Sequence, residues 1–169
     1  GTMFKKTFFD PVSKQNRSCL VLSKNLVVNY WASCLEDAER ITEIIELSQR
    51  RVKDNQRSGL YLDIELTPPS IDTSFHLDDS IIEMLIPSED DETTPHILLE
   101  QHTFLDLNED GYKEPYIVTI DLKSQKVLRI TARFDDKSLE LDDNGEIVRI
   151  NPIQYYTYYG FIPNPDGGF

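Results

Sequence analysis

Acidic and amide side chains alternate in the stretch DLNEDGYKEP, in the manner of a calcium-binding loop. Asp106, Asn108 and Asp110 match positions 1, 3 and 5 of such a loop, and Gly111 matches position 6. A helix–loop–helix calcium site also needs a bidentate glutamate at position 12, where this chain has Ile117. A turn closed by its own backbone explains the same residues, because Asp and Asn side chains accept backbone hydrogen bonds in turns. The sequence therefore favours a structural turn and leaves Asp106, Asn108 and Asp110 as a candidate weak calcium site.

Other reactive residues lack the spacing of known sites. The histidines, His76, His96 and His102, do not form a metal-binding motif, and no phosphate-binding glycine loop or nucleophile motif occurs. We expect Cys19 and Cys34 to be buried free thiols, and the sequence leaves a disulfide between them open. From these patterns we expect no catalytic activity and no cofactor.

The charge of the chain limits its partners. Its 169 residues carry a formal net charge of −13, and 39% of them are hydrophobic. This charge argues against wrapping DNA or RNA and against binding an anionic membrane surface. The single basic cluster, SQRRVKDNQR, is interpreted as the polar C-terminal end of a helix, where cations complement the helix dipole.

The strongest helical signal lies in the first third of the chain. Ser33 and Glu36 form an S-x-x-E capping box, and Gly59 suits the end of a helix. The apolar residues between these positions fall on one helical stripe: Leu35, Ala38, Ile41, Ile45 and Val52. Together these signals predict one long helix over residues 34–57.

Strands are predicted on both sides of this helix. Alternating, β-branched or aromatic residues mark nine segments: 4–10, 18–23, 26–31, 60–66, 96–107, 115–122, 126–134, 146–150 and 154–162. The pair Asn144-Gly145 suits a type I′ hairpin turn. A short second helix is predicted over 77–86, next to an acidic stretch flanked by prolines.

These elements predict an α+β fold, a mostly antiparallel sheet with one long helix and a short second helix. Strands and the long helix occupy 1–66, an irregular acidic linker occupies 67–95, and antiparallel hairpins occupy 96–169. We expect these parts to form one compact domain of a longer protein, because the final NPDGGF ends abruptly.

Several blocks of the sequence resemble the central region of portal proteins of tailed bacteriophages, of the short-tailed type that prophages also encode. The blocks are LEQHTFLDLNEDGYKEPYIVTID, KVLRITARFD and YYGFIPNPDGGF, and an earlier stretch that begins LVVNYWASCLEDAERITEIIEL is also similar. The resemblance spans residues 4–169. It implies a position in the peripheral wing region of the portal subunit.

Portal proteins form a ring of about twelve subunits at one capsid vertex, through which DNA is packaged and ejected. The resemblance therefore implies a structural, non-catalytic role in the virion, after synthesis in the bacterial cytoplasm. The implied partners are other portal subunits, capsid and scaffold proteins, the terminase and tail proteins. DNA would only pass through the assembled channel, no membrane is involved, and the isolated chain is expected to be a monomer.

A β-rich binding module remains the alternative interpretation. It would use the acidic loop, supported by calcium, and the tyrosine-rich run that begins at Tyr155. Tyrosine rings stack on sugars and on other flat groups. The ligand of such a module would be a protein or a carbohydrate.

Overall fold

The computed structural model describes residues 3–69 and 94–159. In chain order, the strands of these residues are β1 Met3–Asp10, β2 Gln15–Leu22, β3 Leu26–Val28, β4 Ile41–Ser48, β5 Pro95–Leu105, β6 Glu114–Asp121, β7 Lys126–Ala132, β8 Leu139–Leu141, β9 Ile147–Ile150 and β10 Tyr156–Tyr159. The α-helix α1 spans Gln49–Arg57, and short 3₁₀ turns span Ser23–Asn25 and Asp136–Ser138.

The strands form three antiparallel sheets. The largest has five strands in the order β3-β4-β5-β6-β7, and the second has three strands in the order β10-β1-β2. Strands β8 and β9 form a separate two-stranded hairpin. Most strands pair with their neighbours in sequence, but β10 returns to pair with β1. The first and last described strands therefore lie side by side.

A hydrophobic core joins the three-stranded sheet to the β3–β4 side of the five-stranded sheet. It contains residues from both sheets and from the segment before β4: Phe4, Val21, Leu26, Leu35, Ala38, Ile41 and Tyr156. Ile41 is fully buried, and Leu35 and Ala38 cover the core from the segment between β3 and β4. The helix α1 buries Val52 and contacts β4 and β5.

The prediction of an α+β fold with a long helix over 34–57 is wrong, because the fold is β-rich and has no helix of that length among the described residues; the sheets are antiparallel, as expected. Residues 41–48 form the strand β4, and of the predicted long helix only Gln49–Arg57 is helical. The capping box at Ser33 and Glu36 starts no helix. Ser48 is the actual cap, and its hydroxyl accepts a hydrogen bond from the amide of Arg51 at 3.4 Å.

Residues 41–48 form a strand for two physical reasons. Four of the eight are β-branched, in the sequence ITEIIELS, and such residues lose side-chain freedom in a helix. The segment also gains backbone partners on both sides, since β3 and β5 both pair with it. The helical stripe did identify Leu35, Ala38 and Ile41 as buried, but a loop and a strand bury them instead of a helix.

Most of the predicted strands are confirmed. The segments 4–10, 18–23, 96–107, 115–122 and 126–134 correspond to β1, β2, β5, β6 and β7. The segments 146–150 and 154–162 contain β9 and β10, and residues 160–162 lie outside the described residues. Only the first half of 26–31 is a strand, and 60–66 is irregular. The predicted second helix, 77–86, and most of the predicted linker, 67–95, lie outside the described residues.

The turn at Asn144-Gly145 joins β8 and β9, as predicted, but it is not of type I′. That type requires positive φ at both central residues, and among Asp142 to Gly145 only Gly145 has it, at 83°. The amide of Gly145 donates to the carbonyl of Asp142 at 3.0 Å, and the amide of Asp142 donates to the carbonyl of Glu146 at 2.9 Å. These bonds describe a turn followed by a glycine bulge.

Replacement of Ile41 by alanine tests the position of the core. Ile41 is fully buried between the sheets, so we expect Ile41→Ala to lower the free energy of unfolding by about 2–5 kcal/mol. Urea denaturation measures this change. The matched control is Ile130→Ala on β7, where the side chain is 47% exposed and the expected loss is about 0.5 kcal/mol. Equal losses at the two positions would contradict the placement of the core.

Candidate functional site

The acidic loop between β5 and β6 is closed by its own hydrogen bonds. The two carboxylate oxygens of Asp106 accept from the amides of Asp110 at 3.1 Å and Gly111 at 2.9 Å. Asp110 accepts from the amide of Tyr112 at 2.8 Å and from the side-chain amide of Asn108 at 2.9 Å. The side-chain oxygens of Asp106 and Asp110 are therefore engaged with the loop itself.

This arrangement has the turn chemistry that the sequence favours. Within residues 3–69 and 94–159, no group of three or more His, Cys, Asp or Glu side chains is arranged to hold a metal ion. The calcium site at Asp106, Asn108 and Asp110 stays a prediction. A calcium ion there would have to compete with the backbone amides for the carboxylate oxygens.

A second group of polar residues, absent from the sequence interpretation, lies between the two larger sheets. Lys6 of β1 has Cys19 and Tyr156 as its partners on β2 and β10. The facing row consists of consecutive cross-strand partners on β4, β5, β6 and β7, namely Glu43, Glu100, Thr119 and Arg129. A polar row therefore crosses the five-stranded sheet beneath β1.

The ammonium of Lys6 lies between two carboxylates. Its Nζ atom is 2.5 Å from Oε2 of Glu43 and 2.7 Å from Oε1 of Glu100. The hydroxyl of Tyr156 donates to Oε2 of Glu43 at 2.8 Å, and Nε2 of His102 lies 3.3 Å from Oε1 of Glu100. We call these five residues the inter-sheet cluster; Lys6, Glu43, His102 and Tyr156 are buried.

The charges of the inter-sheet cluster follow from its geometry. Burial opposes the ionisation of Glu100, but His102 and Lys6 outweigh it and hold the pKa of Glu100 at about 2. Burial also opposes the charge on Lys6, yet Glu100 and Glu43 raise its pKa above the ordinary value. Burial lowers the pKa of His102, so the neutral imidazole donates its Nε2–H to Glu100. The ammonium of Lys6 therefore forms ion pairs with both Glu43 and Glu100.

This cluster has a structural role rather than a reactive one. Glu43 and Glu100 are direct cross-strand partners, and like charges in that position destabilise a sheet. Lys6 offsets the repulsion and at the same time ties β1 to β4 and β5. Burial, Glu100 and Glu43 all raise the pKa of Tyr156, so its phenol keeps the proton that it donates.

A cavity of about 230 Å³, with both polar and apolar walls, adjoins the inter-sheet cluster. Arg129, Tyr61 and Tyr155 line it together with Lys6 and Glu100. Burial raises the pKa of both Tyr61 and Tyr155, which therefore remain uncharged. The cavity is smaller than ordinary ligand pockets of about 300–1,000 Å³.

A larger groove, of about 560 Å³, lies between α1 and residues 63–68. His96 lines it, and Nδ1 of His96 is 3.0 Å from Oδ1 of the fully buried Asp121. Asp121 also accepts from the amide and hydroxyl of Ser124 at 2.8 and 2.5 Å. Burial opposes ionisation, but Ser124 and His96 lower the pKa of Asp121. A buried carboxylate therefore fixes the orientation of the imidazole beside the groove.

Arg133 is almost completely buried, and its Nε atom has no hydrogen-bond partner. The guanidinium lies 5.4 Å from the centre of the Phe104 ring. Burial lowers its pKa to about 10, so it remains charged at neutral pH. Among the described residues no carboxylate lies within 4 Å of it, and the cation–π contact with Phe104 contributes to stabilising its charge.

Both cysteines are free thiols. Cys19 is exposed on β2 and Cys34 is partly exposed, so the prediction that both are buried is wrong. Cys19 and Cys34 lie in different segments of the chain, and no disulfide bond joins them.

The inter-sheet cluster left a signal in the sequence that was missed. Lys6 stands between Phe4 and Phe8 on one strand, and Glu43 stands between Ile41 and Ile45 on another. A charged residue between two apolar residues on the inward face of a strand indicates a buried ion pair. The partners themselves could not be read from this pattern.

No family model matches the chain, and no curated protein matches it either. In the parts of the chain that the structure describes, no helix is long and apolar enough to cross a membrane.

Replacement of Gly111 tests the turn. Gly111 has a φ of +90°, and a Cβ atom there would meet no atom within 4 Å. The cost of Gly111→Val is therefore conformational, and we expect a loss of about 1–2 kcal/mol in the free energy of unfolding. Gly111→Asn is the control, because asparagine tolerates positive φ better, and should lose less. Urea denaturation in which the valine variant is as stable as the wild type would contradict the turn.

Acid titration tests the inter-sheet cluster. The folded-state pKa of Glu100, about 2, lies below its ordinary value of 4.5, so the unfolded chain binds the proton more readily. The contribution of Glu100 to stability is thus complete above pH 4.5 and is lost as the pH falls towards 2. We expect Glu100→Gln to flatten the dependence of the urea midpoint on pH between pH 5 and 3. A slope as steep as that of the control, Glu46→Gln at an exposed position of β4, would count against the cluster.

Proposed function

We propose that this chain is part of a portal protein of a tailed bacteriophage, in the wing region of the subunit. Two of the sequence blocks that resemble this family, LEQHTFLDLNEDGYKEPYIVTID and KVLRITARFD, coincide with β5, β6, β7 and their connections. These blocks carry the proposal, because they supply adjacent strands of the largest sheet. The resemblance therefore falls on the framework of the fold, as a structural function requires.

The chemistry of the acidic loop supports the same role. Asp106 and Asp110 use their oxygens to close the turn between β5 and β6. When the carboxylates of a loop accept hydrogen bonds from its own backbone, they fix the geometry of the hairpin. Such a loop serves a subunit whose function is to keep its shape.

The surface of the fold supports a role in assembly. Tyr30 and Trp31 are 89% and 87% exposed, and their rings contact each other edge to face. Val148 on β9 is 63% exposed. Adjacent exposed aromatic rings, such as those of Tyr30 and Trp31, support a surface that a neighbouring protein covers. A portal subunit has neighbours on both sides in the ring.

The net charge also agrees with a conduit for DNA. The chain carries a charge of −13, and an acidic surface repels phosphates. A protein that lets DNA pass must not retain it. The acidic composition therefore favours passage over binding.

Electron microscopy of the complete subunit that contains this chain tests the proposal. We expect closed rings of about twelve subunits with an axial channel. A gene for a large terminase subunit directly upstream would support the same conclusion independently. Monomeric particles at all protein concentrations would refute the portal function.

The chain of 169 residues by itself is expected to be a monomer of 19.6 kDa. Ring contacts in a portal involve more of the subunit than this chain contains, and a small contact alone binds weakly. Light scattering coupled to size-exclusion chromatography measures the mass. A stable oligomer of ring size would show that this chain alone carries the ring contacts, contrary to the prediction.

A calcium-supported binding module is the second candidate. The observation that favours it is the gathering of Asp106, Asn108 and Asp110 on one exposed loop. Titration calorimetry with calcium chloride discriminates between the two functions. Binding at micromolar concentration, with a rise in melting temperature, would favour the module, and no heat would favour the portal subunit.

A further inference from the structure

Strand β2 is an open edge of the three-stranded sheet. The amide of Thr7 on β1 donates to the carbonyl of Tyr155, beside β10, at 2.9 Å. Because successive residues of a strand direct their backbone groups to opposite sides, Lys6 and Phe8 bond to β2 instead. On β2 the backbone groups that point away from β1 therefore belong to Asn16, Ser18, Leu20 and Leu22. No described strand pairs with this side of β2, and an unpaired edge is a template for a strand of another chain.

The surface around this edge is basic, although the chain as a whole is acidic. Residues 3–25 contain one acidic side chain, Asp10, which forms an ion pair with Arg17 at 3.1 Å. Lys6 is buried in the inter-sheet cluster, and β10, with the sequence YTYY, adds no charge. Three exposed lysines of this range remain without a carboxylate partner in the described part of the chain: Lys5, Lys14 and Lys24.

The same edge has exposed apolar side chains. Leu20 and Leu22 are 54% and 46% exposed. Residues 15–22 contain no proline, and they pair with β1 without a bulge, so β2 lacks two of the features by which edge strands avoid pairing. An occupant that fits this edge is an extended strand with apolar side chains and negative charge.

The β8–β9 hairpin contains such a strand. The carbonyl of Ser138 accepts from the amide of Asn151 at 2.8 Å, and the amide of Asp142 donates to the carbonyl of Glu146 at 2.9 Å. Ser138 and Asp142 therefore direct these groups towards β9. The residues that alternate with them direct their backbone groups to the outer side of β8: Leu139 and Leu141. Among the described strands only β9 pairs with β8, so this outer side is open as well.

The charge of the hairpin is opposite to that of the β2 edge. Residues 135–149 carry six acidic side chains and two basic ones: Asp135, Asp136, Glu140, Asp142, Asp143 and Glu146 against Lys137 and Arg149. The side chain of Leu141 is 58% exposed. Strand β8 therefore combines an open edge, an exposed leucine and negative charge.

We propose that strand β8 of one subunit adds to the β2 edge of a second copy of this chain. The leucines of β8 then lie beside Leu20 and Leu22, so backbone hydrogen bonds and apolar contacts form together. Charge complementarity selects this occupant, because the acidic residues of the hairpin meet the unpaired lysines around β2. Within the described part of one chain no hydrogen bond or ion pair joins the hairpin to β2, so both edges are available to other copies.

Two other occupants fit the edge less well. Antiparallel pairing of β2 with the β2 of another copy would bring Lys14 next to Lys24, and like charges in that position repel. Three lysines are also fewer than the roughly 6–10 phosphate contacts of a protein that holds DNA. An exposed leucine edge adds nothing to phosphate binding.

This contact has a direct consequence for assembly. Different strands of the two subunits meet, so the interface is heterologous, and such interfaces close into rings or extend into filaments. A ring is required by the proposed portal function, on which this inference rests. One short pair of strands is a small contact and binds weakly alone, which agrees with a monomeric isolated chain.

Charge reversal in the complete subunit tests the contact. Lys14→Glu with Lys24→Glu reverses the charge at both ends of β2, and Asp136→Lys with Asp143→Lys does the same for β8. All four side chains are exposed. We expect each pair to raise the protein concentration for half-assembly by about tenfold. The two pairs combined should restore it, because the charges are then complementary again.

The matched control reverses two basic residues outside both edges. Arg51→Glu with Lys53→Glu, at exposed positions of α1, changes the net charge as much as the reversal at β2 does. This variant should assemble at the same concentration as the wild type. An equal loss of assembly in the control would show that net charge, and not the β2 edge, is responsible, and would overturn the contact.

Disulfide trapping tests the pairing of the strands themselves. Leu141→Cys is placed in one subunit and Leu20→Cys or Leu22→Cys in another, and all of them also carry Cys19→Ser and Cys34→Ser. Facing residues of paired strands lie about 5.5 Å apart between Cα atoms, within the range of a disulfide. Oxidation of assembled mixtures should link Leu141→Cys to one of the two β2 variants. Links only between identical variants, or no links, would overturn the proposal.

The possible failures are distinguishable. Rings that form normally despite both charge reversals would overturn this contact and leave the portal function intact. Reversal at β2 that weakens DNA retention in a gel-shift assay, with assembly unchanged, would make the edge a nucleic-acid surface and also overturn the contact. A complete subunit that never assembles would overturn both the contact and the portal function.

Discussion

The position of Lys6 between Glu43 and Glu100 is the constraint on which the two larger sheets depend. Two glutamates stand opposite each other on adjacent central strands, and alone they would repel each other in a poorly solvated place. The ammonium lies within 2.7 Å of both carboxylates and makes the pair compatible with the fold. The three-stranded sheet is therefore needed for the stability of the five-stranded sheet that it covers.

The main effect of this cluster is to fix the position of β1 and β10 against the five-stranded sheet. Its contribution to the free energy of unfolding is smaller than that of the hydrophobic core. A buried ion pair costs desolvation that its own attraction offsets only in part, while the core around Ile41 and Phe4 supplies hydrophobic stabilisation. A slip of β1 by one residue would turn Lys6 outward and face Lys5 or Thr7 towards the other sheet. Because Tyr156 also donates to Glu43, the same cluster fixes β10 beside β1.

The sequence was sufficient where local pattern and long-range packing agree. Alternation identified β5, β6 and β7, since each of these strands has partners on the chain nearby. It failed at residues 34–48, where a capping motif and a helical stripe are local signals. The pairing of Ile41–Ser48 with β3 and β5 is a long-range interaction that overrides them.

The inter-sheet cluster was unpredictable for a related reason. Each inward charge was visible beside its apolar neighbours, but the contact between Tyr156 and Glu43 spans 113 residues of chain. A single sequence does not state which strands will face each other across two sheets. The acidic loop is the opposite case, because Asp106 and Gly111 are only five residues apart and the turn that joins them was readable locally.

The acidic residues of this chain therefore have different roles: some make internal contacts and others lie on the surface. Asp106, Asp121 and Asp142 accept backbone amides in turns, and Glu43 and Glu100 hold Lys6 between the sheets. These carboxylates stabilise the fold, so the net charge of −13 does not by itself indicate a binding site for a cation or a basic ligand. The acidic residues on the β8–β9 hairpin lie instead beside the exposed side chains of Leu141, Ile147 and Val148, so part of the charge of the chain keeps an apolar surface in contact with water.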